Sequence, residues 1–526
     1  MTSTRTRWIG LVFISLAVSL IIVDSTIVNV AIPSIIDDLG LTSTQVQWVQ
    51  ESYTLVFAAL LLVFGTLADK FGRRRIMVIG MALFGVSSIA AALVTTPDLL
   101  IGARVIQGLG GAMVLPTTLS LVNATFRGKE RGIAFAIWGS TIGGMVAVGP
   151  LLGGWLTTDF SWRWAFGINI PLSIIIIIGT YMTVQESREP NARRIDWAGA
   201  VLSVVALTAL VFGLIEGRTY GWWTVNKPFT IGDFTWDSGL SIIPICFAIF
   251  IVTTVTFILH GLSRQKRGKS TLIAFNLFSI SSFTNGNIAA MIISMGEFGI
   301  ILSLPLWLQF VVGYDALQTG FVILALAIGA FVASGLAGGL SGRVAPVRMV
   351  QLGILLEIIG VAGVGFGISA TGDWWSVVPW LFVYGMGVGL ATAQLTNVIL
   401  KDVPVEESGQ ASGTQSTSRQ LGSALGIAVL GTILFSFTAS LLTTSLNDMK
   451  LPEAEVTKIV NAVVDSSGAV IPELEKSPAT KPIAEEAKVA FSDATRYGAY
   501  SAAGFLALGF LSTLSLGGKR REESAK

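Results

Sequence analysis

Four carboxylates interrupt stretches that are otherwise almost free of charge: Asp24, Glu51, Glu297 and Glu357. A carboxyl group held among apolar side chains favours its neutral form, so it can load and release a proton near neutral pH. Arg104 stands in another such stretch, where a guanidinium is costly unless it is paired or reaches water. The chemistry these residues offer is the handling of protons and cations. A lone Cys246 and a lone His260 exclude an intramolecular disulfide, a Cys-clustered metal site and a His-rich zinc site. No set of nucleophile, base and metal ligands marks an enzyme. His260, beside Arg264, reads as an interfacial residue.

Three glycine-rich segments accompany these charges. The first is Gly65-Thr-Leu-Ala-Asp69-Lys-Phe-Gly72-Arg73-Arg74-Arg75. Its glycines allow close helix approach, and Asp69 can pair with the arginines or with a helix N-terminus. The second is Arg104-Val-Ile-Gln107-Gly108-Leu-Gly110-Gly111, and the third is Gly149-Pro150-Leu-Leu-Gly153-Gly154. The third removes bulk from one helix face and a backbone donor at Pro150, which permits tight contact and a bend.

The elements that position these groups are helices in lipid. The 526 residues are 52% hydrophobic and only 13% charged, too few charges for the surface of a soluble chain of this length. Apolar runs long enough to span a bilayer lie at roughly 8–32, 46–68, 76–95, 99–124, 132–157, 163–184, 196–215, 240–260, 276–312, 316–340, 348–369, 375–400, 410–437 and 496–517. The expectation is an all-α integral membrane protein with fourteen spans. The run 276–312 is long enough to tilt, or to bend at Pro305. The first run is too long for a cleaved signal peptide and carries Asp24. Of the 34 lysines and arginines, 23 fall in alternate connections on one side, which places both termini in the cytoplasm. Two outer segments are long: 216–239, with Trp222, Trp223 and Trp236 as interfacial aromatics, and 438–495. The latter has Val456, Ile459, Val460 and Val463 at helical spacing and should form one or two short surface helices, either as a solvated connector or as a cap over an outer vestibule.

An internal repeat organises the spans. An offset of 273 aligns Asp24 with Glu297 and Gly65 with Gly338, and an offset of 277 aligns Gly108 with Gly385 and Gly149 with Gly426. A shared offset over five consecutive spans implies two six-helix bundles, 1–190 and 271–526, with two helices inserted at 191–270. Parallel repeats of this kind mark transporters that handle substrate near the midplane.

In this order and at these positions, the three glycine-rich segments resemble motifs A, B and C of the major facilitator superfamily, the last being its antiporter motif. Asp24-Ser-Thr-Ile-Val-Asn29-Val-Ala-Ile-Pro33, Trp162-Arg163-Trp164-Ala-Phe166-Gly-Ile-Asn169-Ile-Pro171 and Arg419-Gln-Leu-Gly422-Ser-Ala-Leu-Gly426 are similar to the fourteen-helix drug:proton antiporter branch. In the second half Gly342 stands opposite Asp69 and Leu381 opposite Arg104, so the halves are not chemically equivalent.

The resemblance implies a monomeric inner-membrane antiporter that exchanges inward protons for outward lipophilic, cationic compounds by alternating access, and so confers antibiotic resistance. It places spans 1, 4, 9 and 12 around a central cavity. Asp24 and Glu297 would then approach it from opposite halves and carry coupling protons or contact a cationic substrate, with Arg104 tuning the first half. The alternative for Asp24 is a structural acid hydrogen-bonded to nearby Ser, Thr or Asn29; Glu51 and Glu357, also proton-coupling candidates, could equally pair locally. Conformational gating falls to Gly65, Asp69, Gly72, Arg73, Gln107, Gly108, Gly149, Pro150, Gly153 and Gly154. Candidate cavity walls are Trp138, Met295, Phe298, Trp307, Gln309, Phe310, Gln394, Asn397 and Gln415, since aromatic and Met surfaces suit amphiphilic ligands of varied shape. The partners implied are protons, an amphiphilic small molecule and the bilayer, with no cofactor, metal or nucleic acid. Export of a lipid or endogenous metabolite, or a non-transporting membrane sensor, are the alternatives.

Overall fold

The computed structural model describes residues 4–188, 196–231, 234–340, 344–404, 408–514 and 516. Gly342, the basic residues Arg193, Arg194 and Arg343, and the boundary expected at 190/191 lie outside them. The chain is built from long helices. The first seven are α1 (Thr4–Leu39), α2 (Ser43–Phe71), α3 (Arg73–Leu93), α4 (Pro97–Thr125), α5 (Gly128–Asp159), the single turn α6 (Trp164–Gly167) and α7 (Asn169–Thr183). Then come α8 (Trp197–Tyr220) and α9 (Ile242–Lys266), with the hairpin β1 (Phe229–Ile231) and β2 (Phe234–Trp236) between them. The last group is α10 (Ser281–Phe310), α11 (Ala316–Leu340), α12 (Pro346–Gly367), α13 (Val378–Leu400), α14 (Ser408–Asp448), α15 (Glu453–Asp465), α16 (Ile471–Glu475) and α17 (Lys481–Leu514).

Local chemistry sets the boundaries. Thr42 caps α2 in a reciprocal pair with Gln45, Asp196 accepts from the Gly199 amide at the start of α8, and Ser241 caps α9. Prolines at the first turn open α4 and α12. Gly72 joins α2 to α3 at φ 114°, a backbone state that a residue with a Cβ resists.

Among the described residues, twelve helical segments are long and apolar enough to cross a membrane, or thirteen if the bent pair Ser43–Leu61 and Val63–Phe71 within α2 counts as one. The expected fourteen is not reached on this measure. Several side chains of α5, at the fifth position, lie outside the description. The run at 276–312 divides into a 3₁₀ turn, Phe275–Ser279, and α10, which is 30 residues long with Pro305 inside it. The segment 438–495 contains the two expected short helices, α15 and α16. It is shorter as a connector than its polarity suggests, because α14 continues to Asp448 and α17 already begins at Lys481. Val456, Val460, Val463 and Ile471 are buried there against α17 residues such as Phe491.

The helices up to α7 pack mainly on one another, as do those from α10 onward. Two seams join the groups: α5 on α11 and α2 on α14. The inserted α8 lies against both α2 and α14, while α9 packs mainly on α8 and is buried over only 6% of its apolar window. Below, the face where α1 begins is the near face and the one where it ends the far face.

Candidate functional site

Asp24 sits a little past the middle of α1, fully buried. Its Oδ2 accepts from Arg104 Nη1 of α4 at 2.6 Å, and its Oδ1 accepts from Asn169 of α7 at 2.6 Å and from Gln107 of α4 at 3.3 Å. Gln107 and Asn169 both also donate to Ser88 of α3. Arg104 uses its Nε on the Val49 carbonyl at 3.1 Å and lies 4.4 Å over the Tyr53 ring. Charge is matched and the hydrogen bonds converge, as burial of an ion pair requires. Asp24 therefore faces α3, α4 and α7. It does not approach the second group of helices, contrary to the expected geometry, and its amide partner is Asn169, whereas the nearby Asn29 donates to the Ser25 carbonyl. Gln107, expected to gate, belongs to this same network.

Glu297 occupies the matching place on α10. The repeat offset that pairs Arg104 with Leu381 also pairs Gln107 with Tyr384, so the partners that hold Asp24 are absent here. Glu297 instead faces Arg419 of α14 across 3.8 Å, and 29% of the Arg419 side chain is exposed. The Tyr384 hydroxyl of α13 donates to the Glu297 backbone carbonyl at 3.2 Å, leaving the carboxylate unencumbered. Glu357 of α12 is fully buried with neither oxygen hydrogen-bonded, and its electrostatic neighbours are Glu297 and Arg419. It abuts Gly387 of α13, where a Cβ would lie 2.6 Å from the Glu357 Cγ. Glu51 is also fully buried without a partner. It lies between Gln47, packed on Gly431 of α14, and Leu55, which clusters with Ala424 and Ala428 of α14. Residues four apart share a helix face, so Glu51 faces the α2–α14 seam.

The glycine-rich segments occupy joints. A Cβ at Gly153 would meet the Ile27 carbonyl of α1 at 2.7 Å, and one at Gly154 would meet the Ala316 carbonyl of α11 at 2.5 Å. Gly149 seats Thr26 of α1, and the Pro150 carbonyl fills the place of a side chain on Gly320. This segment thus ties α5 to a helix of each group. Thr158 Oγ1 accepts from the Leu317 amide at 3.1 Å, and Gln309 donates to the Val30 carbonyl at 3.1 Å. These contacts close the far face. On the near face Asp69 accepts from Arg73 at 2.9 Å, and Arg73 also donates to Ser187. The Glu186 carboxylate, following α7, accepts from the Arg74 and Arg75 amides at the start of α3. Gly72 leaves room for it, since a Cβ there would fall 2.7 Å from the carboxyl carbon. Gly108 seats the Tyr53 backbone of α2. Gly65 departs from expectation, because only Pro116 Cβ lies near it, at 3.7 Å, and a methyl group would fit.

The family model "Major Facilitator Superfamily" matches residues 14–427, most of the chain and every glycine that the repeat aligns. The chain belongs to the major facilitator superfamily. Among curated superfamily relatives, it is 31% identical to multidrug resistance protein Stp of Mycobacterium tuberculosis strain CDC 1551 / Oshkosh, over 89% of this chain and 84% of that one. It is 30% identical to multidrug efflux pump LfrA of Mycolicibacterium smegmatis, over 93% and 92%, and 31% identical to a probable actinorhodin transporter of Streptomyces coelicolor, over 84% and 75%. Its fold matches a bacterial homolog of the human lysosomal transporter Spinster, solved inward-facing and unoccupied, with TM-score 0.63 at 14% identity over 98% of both chains. The protein is a multi-pass membrane transporter and not an enzyme.

Several expected walls of the superfamily's cavity lie elsewhere. Trp307 is wholly buried, donating to Ser492 of α17 at 3.1 Å, and Phe310 belongs to the same core. Trp307 is a packing residue, because α17 covers that face of α10. Trp138 donates to Thr118 of α4, within the first group. Gln309 spans the two groups through its bond to Val30. Gln415 donates to Thr396 at 2.6 Å, Met295 and Phe298 are half-buried on α10, Gln394 is half-buried and Asn397 exposed on α13. Arg419, Asn169, Ser88, Tyr384 and Glu186 were not among the expected site residues. Arg419 and Asn169 stand in quoted motifs, and Tyr384 is signalled by the repeat offset alone.

Proposed function

We propose that this transporter exports lipophilic cations in exchange for protons, with the near face cytoplasmic, both termini inside, and the chain crossing the inner membrane fourteen times as a monomer. Its bundles would be 1–190 and 271–526, with 191–270 as a two-helix insert. The observation that carries the reading is the contrast between the matched carboxylates. Asp24 is neutralised at 2.6 Å inside a hydrogen-bonded network, whereas Glu297 stands 3.8 Å from a partly exposed Arg419 beside an unpartnered Glu357. A carboxylate so loosely held can exchange its arginine for a proton or for a substrate cation. Protonation of Glu297 then weakens cation binding, and release of the proton restores it.

Closure of the far face through α5–α11 and α2–α14 leaves access from the cytoplasm, the side from which an exporter loads. The names of the relatives, which include multidrug efflux and a probable actinorhodin transporter, support small-molecule export; the latter also favours an endogenous metabolite as cargo. Reconstitution in proteoliposomes with an imposed pH gradient tests the proposal. Wild-type protein should move a cationic dye against its gradient, and Glu297→Gln should abolish that movement. Wild-type coupling in the variant removes Glu297 from the mechanism, and transfer of lipid with no dye movement removes the drug reading.

A further inference from the structure

Of the described spans α9 is the least buried, and its exposed side has an order of its own. Val252, Val255, Leu259 and Leu262, each between 40% and 63% exposed, recur every three or four residues and so share one face. From Val252 to Leu262 this stripe runs about 15 Å, the depth of one leaflet of hydrocarbon. One turn further along the same face stands Lys266, exposed, at the near-face end of the helix.

The chain then folds back on itself. Gly268 takes φ 65°, the Lys269 amide donates to the Arg264 carbonyl at 3.0 Å, and Arg264 Nε donates to the Ser270 carbonyl at 2.9 Å. This ordered turn gathers Lys266, Arg267 and Lys269, all three exposed. Among the described residues no carboxylate pairs with any of them. Asp196, the acid at this corner, is buried and already engaged by the Gly199 amide at 3.1 Å, by His260 at 2.9 Å and by Arg264 at 3.5 Å. Elsewhere on the near face Arg7 reaches Glu130, Arg73 reaches Asp69 and Arg74 reaches Glu186. A bias of cations toward one side of the membrane explains why lysines and arginines lie here. It does not require that three of them stand unpaired on an ordered turn at the foot of an exposed apolar stripe.

We propose that this corner binds an anionic phospholipid of the near-face leaflet. Lys266, Arg267 and Lys269 receive the headgroup phosphate, and the stripe from Leu262 to Val252 takes an acyl chain. Charge complementarity and the leaflet-length stripe together select this occupant. A zwitterionic lipid brings the chain without net charge, and a free phosphate brings the charge without the chain. A second copy of the protein packed through the same face would set like charges against the three cations. The site is independent of what cargo is exported. It anchors the inserted pair in the bilayer, and α8 of that pair rests on both groups of helices through α2 and α14.

The test is native mass spectrometry of the full chain in detergent, titrated with phosphatidylglycerol or with phosphatidylcholine of the same acyl chains. Wild-type protein should prefer phosphatidylglycerol by about a hundredfold, roughly fivefold for each of the three cations. The triple variant Lys266→Gln, Arg267→Gln, Lys269→Gln should lose that preference and bind phosphatidylcholine as before. A control triple variant, Arg5→Gln, Arg127→Gln, Arg348→Gln, removes the same charge from scattered near-face positions and should keep it. Equal affinity of the wild type for both lipids overturns the proposal, as does an unchanged preference in the first triple variant. An equal loss in the control also overturns it, by making the effect one of diffuse surface charge. Displacement of phosphatidylglycerol by inorganic phosphate, or dimers in place of lipid adducts, would assign the corner to a free anion or a second copy and overturn it too. If the first triple variant does not fold, Lys269→Gln alone must still show a loss of about fivefold, and wild-type affinity there overturns the proposal.

Discussion

Replacing Asp24 by Asn tests whether the Asp24–Arg104 pair is a fixed lock or a proton carrier. The substitution keeps the shape and removes the charge. Arg104, with 2% of its side chain exposed, would retain only neutral acceptors, the Val49 carbonyl and Gln107 Oε1 at 2.9 Å. Breaking a buried pair by removing one partner costs about 3–5 kcal/mol, whereas replacing both by apolar groups of similar volume is often close to neutral. Asp24→Asn should therefore lose about that much stability in detergent, read by equilibrium unfolding, and so should Arg104→Met. The double variant Asp24→Leu with Arg104→Met should recover at least about 2 kcal/mol of the summed loss, a coupling within the range seen for contacting residues. It should also keep gradient-driven dye transport, because the proposed coupling carboxylate, Glu297, is untouched. Two results would refute the reasoning. One is a cost below about 1 kcal/mol for Asp24→Asn. The other is a double variant that is stable yet no longer coupled to the pH gradient, which would return Asp24 to the proton path.

Gly154→Val places side-chain carbons against the Ala316 carbonyl, already 2.5 Å from an added Cβ, so it should hold the far face open. In a Cys246→Ser background, the labelling rate of a Val30→Cys reporter should rise about tenfold, and an unchanged rate would show that α5–α11 contact does not keep this face shut. Glu51→Gln removes the possibility of charge from the α2–α14 seam and should slow labelling of the same reporter. Glu51→Asp should preserve the wild-type rate, and identical rates in all three proteins would exclude Glu51 from the gate. Glu186→Gln weakens the cap on the first amides of α3, a contact of about 0.5–2 kcal/mol, and should raise trypsin cleavage at Arg73–Arg75 in inside-out vesicles without changing the ethidium KM.

The helices were legible because each rests on a local rule: a bilayer-length apolar run, a cap, a proline at a first turn. The repeat was legible for the same reason, since the offsets that align Asp24 with Glu297 and Arg104 with Leu381 need no coordinates. Direction was not. Nothing in the residues near Asp24 says that it turns toward Asn169, 145 positions away. The expected hydrogen-bonding neighbours were local, but Ser25 and Thr26 satisfy their own hydroxyls on carbonyls one turn back. Trp307 misled by type, because a tryptophan suits a ligand wall and a helix interface equally well, and only the Ser492 hydroxyl on α17 separates them. The extension of α14 to Asp448 was hidden by its Ser and Thr content, which reads as connector. The β1–β2 hairpin between α8 and α9 was hidden by its shortness, three residues a strand.

The proposed mechanism gives the two halves different work, and the difference it rests on is that Leu381 and Tyr384 stand where the first half has Arg104 and Gln107. In the first group of helices one buried arginine gathers α1 and α4 into a single charge-matched body, and Asn169 and Ser88 add α7 and α3. Such a body can tilt as a unit, and any step that charges or discharges Asp24 alone would leave an uncompensated ion in it. In the second group the arginine beside Glu297 is Arg419 on α14, partly exposed and 3.8 Å away. The proposed competition of proton and substrate at Glu297 would therefore leave the first bundle intact. The glycines of α5 then connect the two behaviours: Gly149 and Gly153 grip α1, Gly154 grips α11, and movement of either group is felt at the same helix. Coupling by this route requires that the charge change occur on one side of the seam only, the side that holds Glu297.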